Sequence, residues 1–323
     1  MTLEIGVTPW RLDSDDPEWL HRGFAEQAVS AEALGFHSIW LPESHFVERG
    51  AVPAPLLLLA AAAARTTRIR LGTTSYLLPV RHPLLVAEEV AVLEQISGGR
   101  VILGVGRGFH PVLFQAFGVP VAEKRERFEA ALDAIRGAWR GKPLESSRAA
   151  RLTPLPQQQP HPPLWVAAFG PRALAQAGRL NLPYLASPLE SLAQLLENHA
   201  IHRGARPADA NEPLPVPVMR SVFVARELQA VARVREALQS QREALARRGE
   251  RWLGRTVESV GEGGELIGTP DQVREGIQSY RRALGLTHLI ARTAVPGATA
   301  AELEHSVELL ATLNESRPAG PPG

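Results

Sequence analysis

The 323-residue sequence contains no cysteine. This absence excludes disulfides, thiolate metal sites, iron–sulfur clusters and a thiol nucleophile. An excess of one charge sign is missing too, since 35 basic residues stand against 34 acidic residues and the formal net charge is +1. This balance gives no electrostatic reason to expect nucleic acid or an anionic membrane surface as a partner. The hydrophobic fraction of 45% is nevertheless large enough for a sizeable core.

Long hydrophobic runs are also absent. The longest apolar run extends from Ala51 to Ala64 and is interrupted by Pro53 and Pro55. A membrane helix needs about 20 apolar residues, so we interpret this run as a buried helix. The first residues do not combine a basic segment with an apolar core, and we therefore expect no secretory signal. A cytoplasmic protein is predicted.

The chain alternates short β-rich runs with helix-length segments, which is the pattern of repeated βα units around a parallel sheet. Eight runs are predicted as strands: Leu3–Thr8, Phe36–Leu41, Arg68–Thr74, Arg100–Val105, Leu164–Ala168, Leu182–Ala186, Val216–Val224 and Thr287–Arg292. The predicted helices are Pro17–Leu34, Pro55–Thr66, Pro83–Ile96, Val121–Trp139, Pro171–Leu180, Leu189–Arg203, Glu227–Arg248, Pro270–Ala283 and Ala300–Asn314. This order predicts an α/β fold, namely a single (β/α)₈ TIM-type barrel with inserted loops.

One domain is expected over residues 1–315, followed by a disordered tail over residues 316–323 that is rich in proline and glycine. Two insertions interrupt the alternation. One is the proline- and glutamine-rich segment Gly141–Pro163, and the other is a glycine-rich linker that ends at Gly268.

Polar residues that follow the predicted strands are the candidates for chemistry, because barrel active sites lie at the carboxyl ends of the strands. His45 follows the second strand and stands two residues after Glu43, and His82 follows the third strand. Histidine titrates near neutral pH and can act as an acid or a base. Each histidine also has a structural interpretation, since His82 precedes Pro83 and can simply shape a turn.

Arginines follow the fourth strand. Arg107 lies at its mouth and Arg125 in the first turns of the next predicted helix. The planar guanidinium fork suits a phosphate group. An ion pair with Glu43 or Glu123 is an equally good interpretation.

Two glycine-containing turns complete the candidate set. The segment Gly104–Gly108 lacks the last glycine of a dinucleotide fingerprint, because Phe109 stands at that position. The turn Phe169-Gly170 opens a predicted helix, whose first amide groups favour a phosphate. The alternative for that turn is a plain strand-to-helix connection.

Six segments carry a resemblance to a known family: Trp40-Leu-Pro-Glu-Ser-His-Phe, Leu71-Gly-Thr-Thr-Ser, Leu78-Pro-Val-Arg-His-Pro, Ser97-Gly-Gly-Arg-Val-Ile-Leu-Gly-Val-Gly-Arg-Gly-Phe, Pro160-His-Pro-Pro-Leu-Trp-Val-Ala and Gly268-Thr-Pro-Asp-Gln-Val. These segments resemble the bacterial luciferase-like flavin monooxygenase family. They occur in order over nearly the whole chain. The resemblance implies a TIM-like barrel, a flavin at the carboxyl face and usually a homodimer built on helices near strands two and three.

The resemblance also implies roles for individual residues. Arg107 and Arg125 match positions that bind the flavin phosphate, and Phe169 and Gly170 match the phosphate loop after strand five. Phe169 replaces a carboxylate of that loop, so only its backbone amide can serve. Thr74-Ser75 matches a segment beneath the isoalloxazine ring that carries a non-proline cis peptide in relatives. The remaining cofactor-binding candidates are Gly106, where luciferases have a cysteine, and Phe109.

The largest departure from the luciferase pattern is Ser44, which replaces the first histidine of Glu-His-His-Phe. Light emission is therefore not expected. The prediction is a monooxygenase that receives reduced FMN from a separate reductase and uses oxygen on a small organic substrate. His45 and Ser44 would contact the flavin or peroxide, and His82 would help to protonate it. Dry walls such as Phe109 would exclude water.

Two alternatives stay open within the same fold. One is a deazaflavin-dependent oxidoreductase that transfers hydride, and the other is a non-catalytic flavin-binding barrel. A lysine-based aldolase is less favoured, because the only two lysines, Lys124 and Lys142, do not lie at predicted strand ends.

Overall fold

The computed structural model describes residues 2–11, 16, 18–47, 50–144, 149–210, 212–247, 251–252, 255–256 and 264–314. The predicted tail and most of the glycine-rich linker lie outside these residues. The chain forms two compact units by its contacts. The first comprises Met1–Asp16, Ser30–Ile39 and Ala168–Gly323, and the second comprises Pro17–Val29 and Trp40–Ala167.

Strands and helices alternate along the described chain, as expected. The strands are β1 (Glu4–Val7), β2 (Ser38–Leu41), β3 (Arg70–Thr73), β4 (Tyr76–Leu77), β5 (Val101–Gly106), β6 (Leu164–Ala167), β7 (Tyr184–Leu185), β8 (Pro217–Val224), β9 (Arg251–Trp252), β10 (Arg255–Thr256), β11 (Leu266–Gly268) and β12 (His288–Arg292). The α-helices are α1 (Trp19–Ala33), α2 (Pro55–Ala63), α3 (Pro83–Ser97), α4 (Pro111–Ala116), α5 (Lys124–Trp139), α6 (Pro171–Arg179), α7 (Leu192–Gly204), α8 (Leu228–Arg247), α9 (Pro270–Leu284) and α10 (Ala300–Thr312).

In the first unit, parallel strands lie in the order β11-β8-β12-β1-β2. In the second unit, β5 pairs in parallel with β3, β4 and β6. Parallel pairing with intervening helices confirms the predicted α/β class. Because strands that run parallel present their carboxyl ends at one edge, residues after β4 and β5 are brought together.

Within the described residues, four strands and one helix were not predicted, namely β4, β9, β10, β11 and α4. β11 lies where a glycine-rich linker was expected, and it pairs with β8 through Leu266 opposite Val222. β4 has only two residues and α4 only six, so neither carries enough of a repeat to be recognised by periodicity.

Apolar residues recur at helical spacing in α5, which predicts a buried face, and the structure confirms it. Phe128, Leu132, Ile135 and Trp139 are fully buried, and the Trp139 indole donates a hydrogen bond of 3.0 Å to the carbonyl of Ala87. Burying each such side chain contributes about 1.5–3 kcal/mol. This packing holds α5 against α3. Near the beginning of α5, the Phe128 ring lies 5.5 Å from the guanidinium carbon of Arg107, which directly follows β5. In the described part of the chain, no helix has the length and apolar character needed to cross a membrane.

Candidate active site

The buried carboxylate of Glu43 organises the second unit at the end of β2. Its side chain is fully buried. Oε1 accepts a hydrogen bond from Arg81 Nη1 at 2.7 Å and lies 2.5 Å from His45 Nε2. Oε2 accepts from the backbone amide of Leu77, in β4, at 2.9 Å. Glu43 therefore joins the segments after β2 and β4 into one polar cluster.

Arg81 is held in place from several sides. Nη1 also donates to the Leu77 carbonyl at 3.0 Å, and Nη2 donates to the Pro53 carbonyl at 3.3 Å. The guanidinium carbon lies 4.1 Å from the centroid of the Tyr76 ring, a cation–π distance. Burial raises the pKa of the Tyr76 phenol, so this ring stays neutral. Arg81 supplies the positive charge that makes the buried Glu43 carboxylate tolerable.

His45 is the site histidine that the structure brings into this cluster. An ionised carboxylate can only accept, so the Nε2 atom facing Glu43 carries a proton. Nδ1 is then the nitrogen that carries the lone pair of the neutral ring. The imidazole lies 5.3 Å, between ring centroids, from Phe117 and 5.7 Å from Phe46. Its side chain is only 7% exposed.

The contacts of Ser44 and His82 are with the local backbone. Ser44 Oγ accepts from the Val52 amide at 2.9 Å, and the Ser44 amide donates to the Val52 carbonyl at 3.0 Å. His82 is exposed and caps α3, where its Nδ1 accepts from the Leu84 amide at 3.3 Å. The His82 contact matches its structural interpretation as a residue that shapes a turn, and the catalytic roles of Ser44 and His82 stay predictions.

The Thr74–Ser75 peptide bond is cis, as the family resemblance implied. The Thr74 amide donates to the Leu41 carbonyl at 2.8 Å, which holds this segment beside β2. A Cβ atom at Gly106 would lie 2.2 Å from Ser75 Oγ. The Ser75 side chain therefore occupies the space of a side chain at position 106, and a larger residue there would require Ser75 to move.

Three cations lie close enough to influence one another after β5, and we call Arg107, Lys124 and Arg125 the cation cluster. Burial and then Arg125 lower the pKa of Arg107 to about 10, against the favourable effect of Glu129. Burial, Arg107 and Arg125, in that order, lower the pKa of Lys124. The cluster is thus a concentration of like charge in a partly desolvated place, which is what an anion-binding site provides.

The two carboxylates of the ion-pair interpretation, Glu43 and Glu123, have other partners. Glu43 binds His45 and Arg81, as described above, and Glu123 binds Arg127 at 2.8 Å. Glu43 and Glu123 are therefore not favoured as ion-pair partners of Arg107 and Arg125.

The short helix α4 connects the cation cluster with His45. Lys124 Nζ lies 5.7 Å from the centroid of the Phe114 ring in α4. Phe117, the residue that caps the carboxyl end of α4, contacts the His45 ring. Phe109, just before α4, is 44% exposed and lies 5.2 Å from the His110 ring. The acid–base candidate and the cation cluster thus contact the same helix.

Phe169 and Gly170 lie in the first unit, at the beginning of α6. Gly170 has φ = +75° and precedes α6 without a side-chain cap. Nothing lies within 4 Å of a Cβ built at this position, so glycine is required for the backbone conformation and not for space. The phosphate-binding role of both residues stays a prediction.

Glu43, Arg81, Lys124 and Phe117 were not among the predicted site residues. Glu43 carried a usable signal, because residues i and i+2 of an extended segment point to the same side and His45 stands at that spacing. Arg81 stands immediately before His82, but sequence does not tell which of two adjacent polar side chains turns inward.

Residues 7–288 match the family model described as luciferase-like monooxygenase. The chain belongs to this family. The oxygenase component of the flavin-dependent trigonelline monooxygenase of Acinetobacter baylyi is 30% identical to this luciferase-like chain over 168 residues, which are 50% of this chain and 47% of that protein. The chain spans about half the length of the curated relatives it matches.

Solved structures of known proteins share the fold of this luciferase-like chain. The oxygenating constituent of 3,6-diketocamphane monooxygenase of Pseudomonas putida, in complex with FMN, is 22% identical with a TM-score of 0.78, and the match covers 98% of each chain. The coenzyme F420-dependent tetrahydromethanopterin reductase of Methanopyrus kandleri is 20% identical with a TM-score of 0.65, over 96% of this chain and 98% of that one. At these identities the likeness shows the fold alone.

Proposed function

We propose that this protein is a monooxygenase that takes reduced FMN from a separate reductase and oxygenates a small organic substrate. The observation that carries the proposal is the cation cluster, in which Arg107, Lys124 and Arg125 repel one another. A phosphate group would offset that charge. The proposal agrees with the trigonelline relative, which is named an oxygenase component, and with the diketocamphane protein, which binds FMN.

The residues present fit a flavin phosphate. Arg107 and Arg125 would hold the phosphate with their guanidinium forks, because these groups present paired donors to its oxygens. Gly106 leaves room for the Ser75 side chain, and this pair would form part of the surface beneath the isoalloxazine ring. Thr74 and Ser75 would lie beneath that ring. The amides of Phe169 and Gly170 stay predicted phosphate donors.

When bound, the flavin supplies the reaction with oxygen. The task of the protein is to move a proton and to exclude water. His45 would do the first through Nδ1, while Glu43 holds Nε2 and stabilises a positive charge on the ring. Ser44 Oγ, which accepts from Val52, still has its own proton to donate, and His82 stays a predicted acid. Phe109, with Phe46 and Phe117, would form the water-excluding wall.

The proposed assembly is a closed (β/α)₈ barrel over residues 1–315 that forms a homodimer in the cytoplasm. Support for the dimer comes from large apolar side chains that are exposed on α2 and α3, namely Leu57, Leu85, Val92 and Ile96. On α3, Val92 and Ile96 lie seven and eleven residues after Leu85, so the three side chains share one helix face. Exposed apolar side chains that line up on a face are typical of an interface.

Two other functions are separated from this one by cofactor preference. F420 is a deazaflavin, and the fold likeness to an F420-dependent reductase keeps hydride transfer as the second candidate. The third is a flavin-binding protein without turnover.

An anaerobic titration with reduced FMN, oxidised FMN and F420 distinguishes the candidates. The proposal predicts tightest binding of reduced FMN and no binding of F420. Preference for F420 would establish the hydride-transfer candidate in its place. Binding of none of the three would refute the flavin function.

A further inference from the structure

Lys124 is the first residue of α5 and the member of the cation cluster to which the sequence assigned no role. Its ammonium lies 5.7 Å from the centroid of the Phe114 ring, which is fully buried and therefore fixed. The same ring lies 3.3 Å from where a Cβ at Gly108 would stand. Because Gly108 follows Arg107 directly, one ring supports both the lysine and the arginine loop.

The position of Arg107 agrees with this arrangement. Its guanidinium carbon lies 5.5 Å from the centroid of the Phe128 ring. Phe128 is one helical turn after Lys124 in α5 and is fully buried. Each of the two buried rings thus lies against one cation near the first turn of α5. An aromatic ring attracts a cation but does not neutralise its charge.

The surroundings of Lys124 are unfavourable for an ammonium. Arg107 and Arg125 act on it with like charge. The first turn of a helix carries partial positive charge, which opposes a cation and favours an anion. Glu129 is the carboxylate that acts on Arg107. A dianion bound among the three cations would convert their repulsion into attraction.

We propose that Lys124 is a direct ligand of the flavin phosphate and makes the site select phosphorylated over unphosphorylated flavins. This inference rests on the proposed flavin function. The ammonium is a compact point charge with three donors, whereas Arg107 and Arg125 present planar forks. The lysine therefore adds charge to the phosphate and does not orient the isoalloxazine ring.

The test compares reduced FMN with reduced riboflavin, which lacks the phosphate, in anaerobic titrations. The variants are Lys124→Gln, Lys124→Arg and the matched control Lys142→Gln, at the exposed lysine beyond the other end of α5. Lys124→Gln should weaken FMN binding about tenfold or more, as expected for a charge-assisted contact. Riboflavin binding should not change, Lys124→Arg should retain most of the affinity, and Lys142→Gln should match the wild type.

The outcomes separate the inference from the function on which it rests. Unchanged FMN affinity in Lys124→Gln, with a wild type that prefers FMN to riboflavin, would overturn the role of Lys124 alone. Equal loss of both flavins would also overturn it, since that would indicate a structural role. A wild type that binds FMN no more tightly than riboflavin would instead refute the phosphate site of the proposed function.

A second measurement needs no variant. Pyridoxal 5′-phosphate carries a phosphate and an aldehyde; the lysine amine forms an imine with loss of water, and borohydride reduces that imine to a stable amine. Mass spectrometry should find the label on Lys124 in preference to Lys142, with protection by FMN. Pyridoxal, without the phosphate, should label the two lysines more evenly. Equal labelling by pyridoxal 5′-phosphate, unaffected by FMN, would contradict the inference.

Discussion

Replacement of Glu43 by glutamine tests the polar cluster at the end of β2. The carboxylate accepts from three donors, namely His45, Arg81 and the Leu77 amide. Glutamine offers one accepting oxygen and one donating nitrogen. Whichever way the amide turns, its nitrogen faces at least one donor, so a buried N–H group is left without an acceptor.

The expected cost follows from those contacts. An unsatisfied buried donor costs about 1–3 kcal/mol, and breaking a fully buried ion pair costs about 3–5 kcal/mol. The Arg81 side chain is 20% exposed, and water can therefore compensate part of the lost charge. We expect Glu43→Gln to lower the free energy of unfolding by about 2–4 kcal/mol.

Urea unfolding followed by circular dichroism measures this change as a lower midpoint at an unchanged slope. The matched control is Glu123→Gln, which removes a half-exposed pair with Arg127 and should cost less than about 1 kcal/mol. A Glu43→Gln midpoint as close to the wild type as that of the control would refute the reasoning.

Two further predictions concern space and pH. Gly106→Ala places a methyl group 2.2 Å from Ser75 Oγ and should lower the free energy of unfolding by about 1–3 kcal/mol. Adding Ser75→Gly to the same chain should restore part of this loss. A urea midpoint of the double variant that does not recover would contradict the contact. Burial, with the charges of His202 and Arg203, lowers the pKa of His199 from 6.5 to about 4. Because the unfolded chain then binds the proton more readily than the folded chain, the free energy of unfolding should fall as the pH drops from 6.5 to 4. Thermal midpoints across that range should fall less steeply in His199→Gln, and an identical slope would exclude His199 as the cause.

The sequence predicted those features of the fold that depend on a repeated pattern. The buried face of α5 follows from apolar residues at helical spacing, and the structure buries Phe128, Leu132, Ile135 and Trp139 as expected. The strand β11 could not be found in this way, since its three residues depend on pairing with β8, which is distant in sequence. The β-propensity of so short a segment is outweighed by the glycines before it.

The sequence predicted the residue types of the candidate site, but it predicted their contacts only in part. His45, Arg107 and Arg125 lie after the strands that were expected to carry them. The pairing of Glu43 with Arg81 joins residues 38 positions apart, and no local pattern encodes such a contact. His82 caps α3 by accepting from the backbone of its own helix, and its catalytic role stays a prediction.

The central claim is that the cation cluster binds the phosphate of reduced FMN, and the most direct test is anaerobic calorimetry of reduced FMN with the wild type and with Arg107→Ala. The account predicts binding by the wild type and a loss of about tenfold to a hundredfold in the variant, the value of a charge-assisted contact of about 1.5–3 kcal/mol. Circular dichroism of the variant should match that of the wild type. No binding by the wild type, or equal affinity in a folded Arg107→Ala protein, would contradict the account.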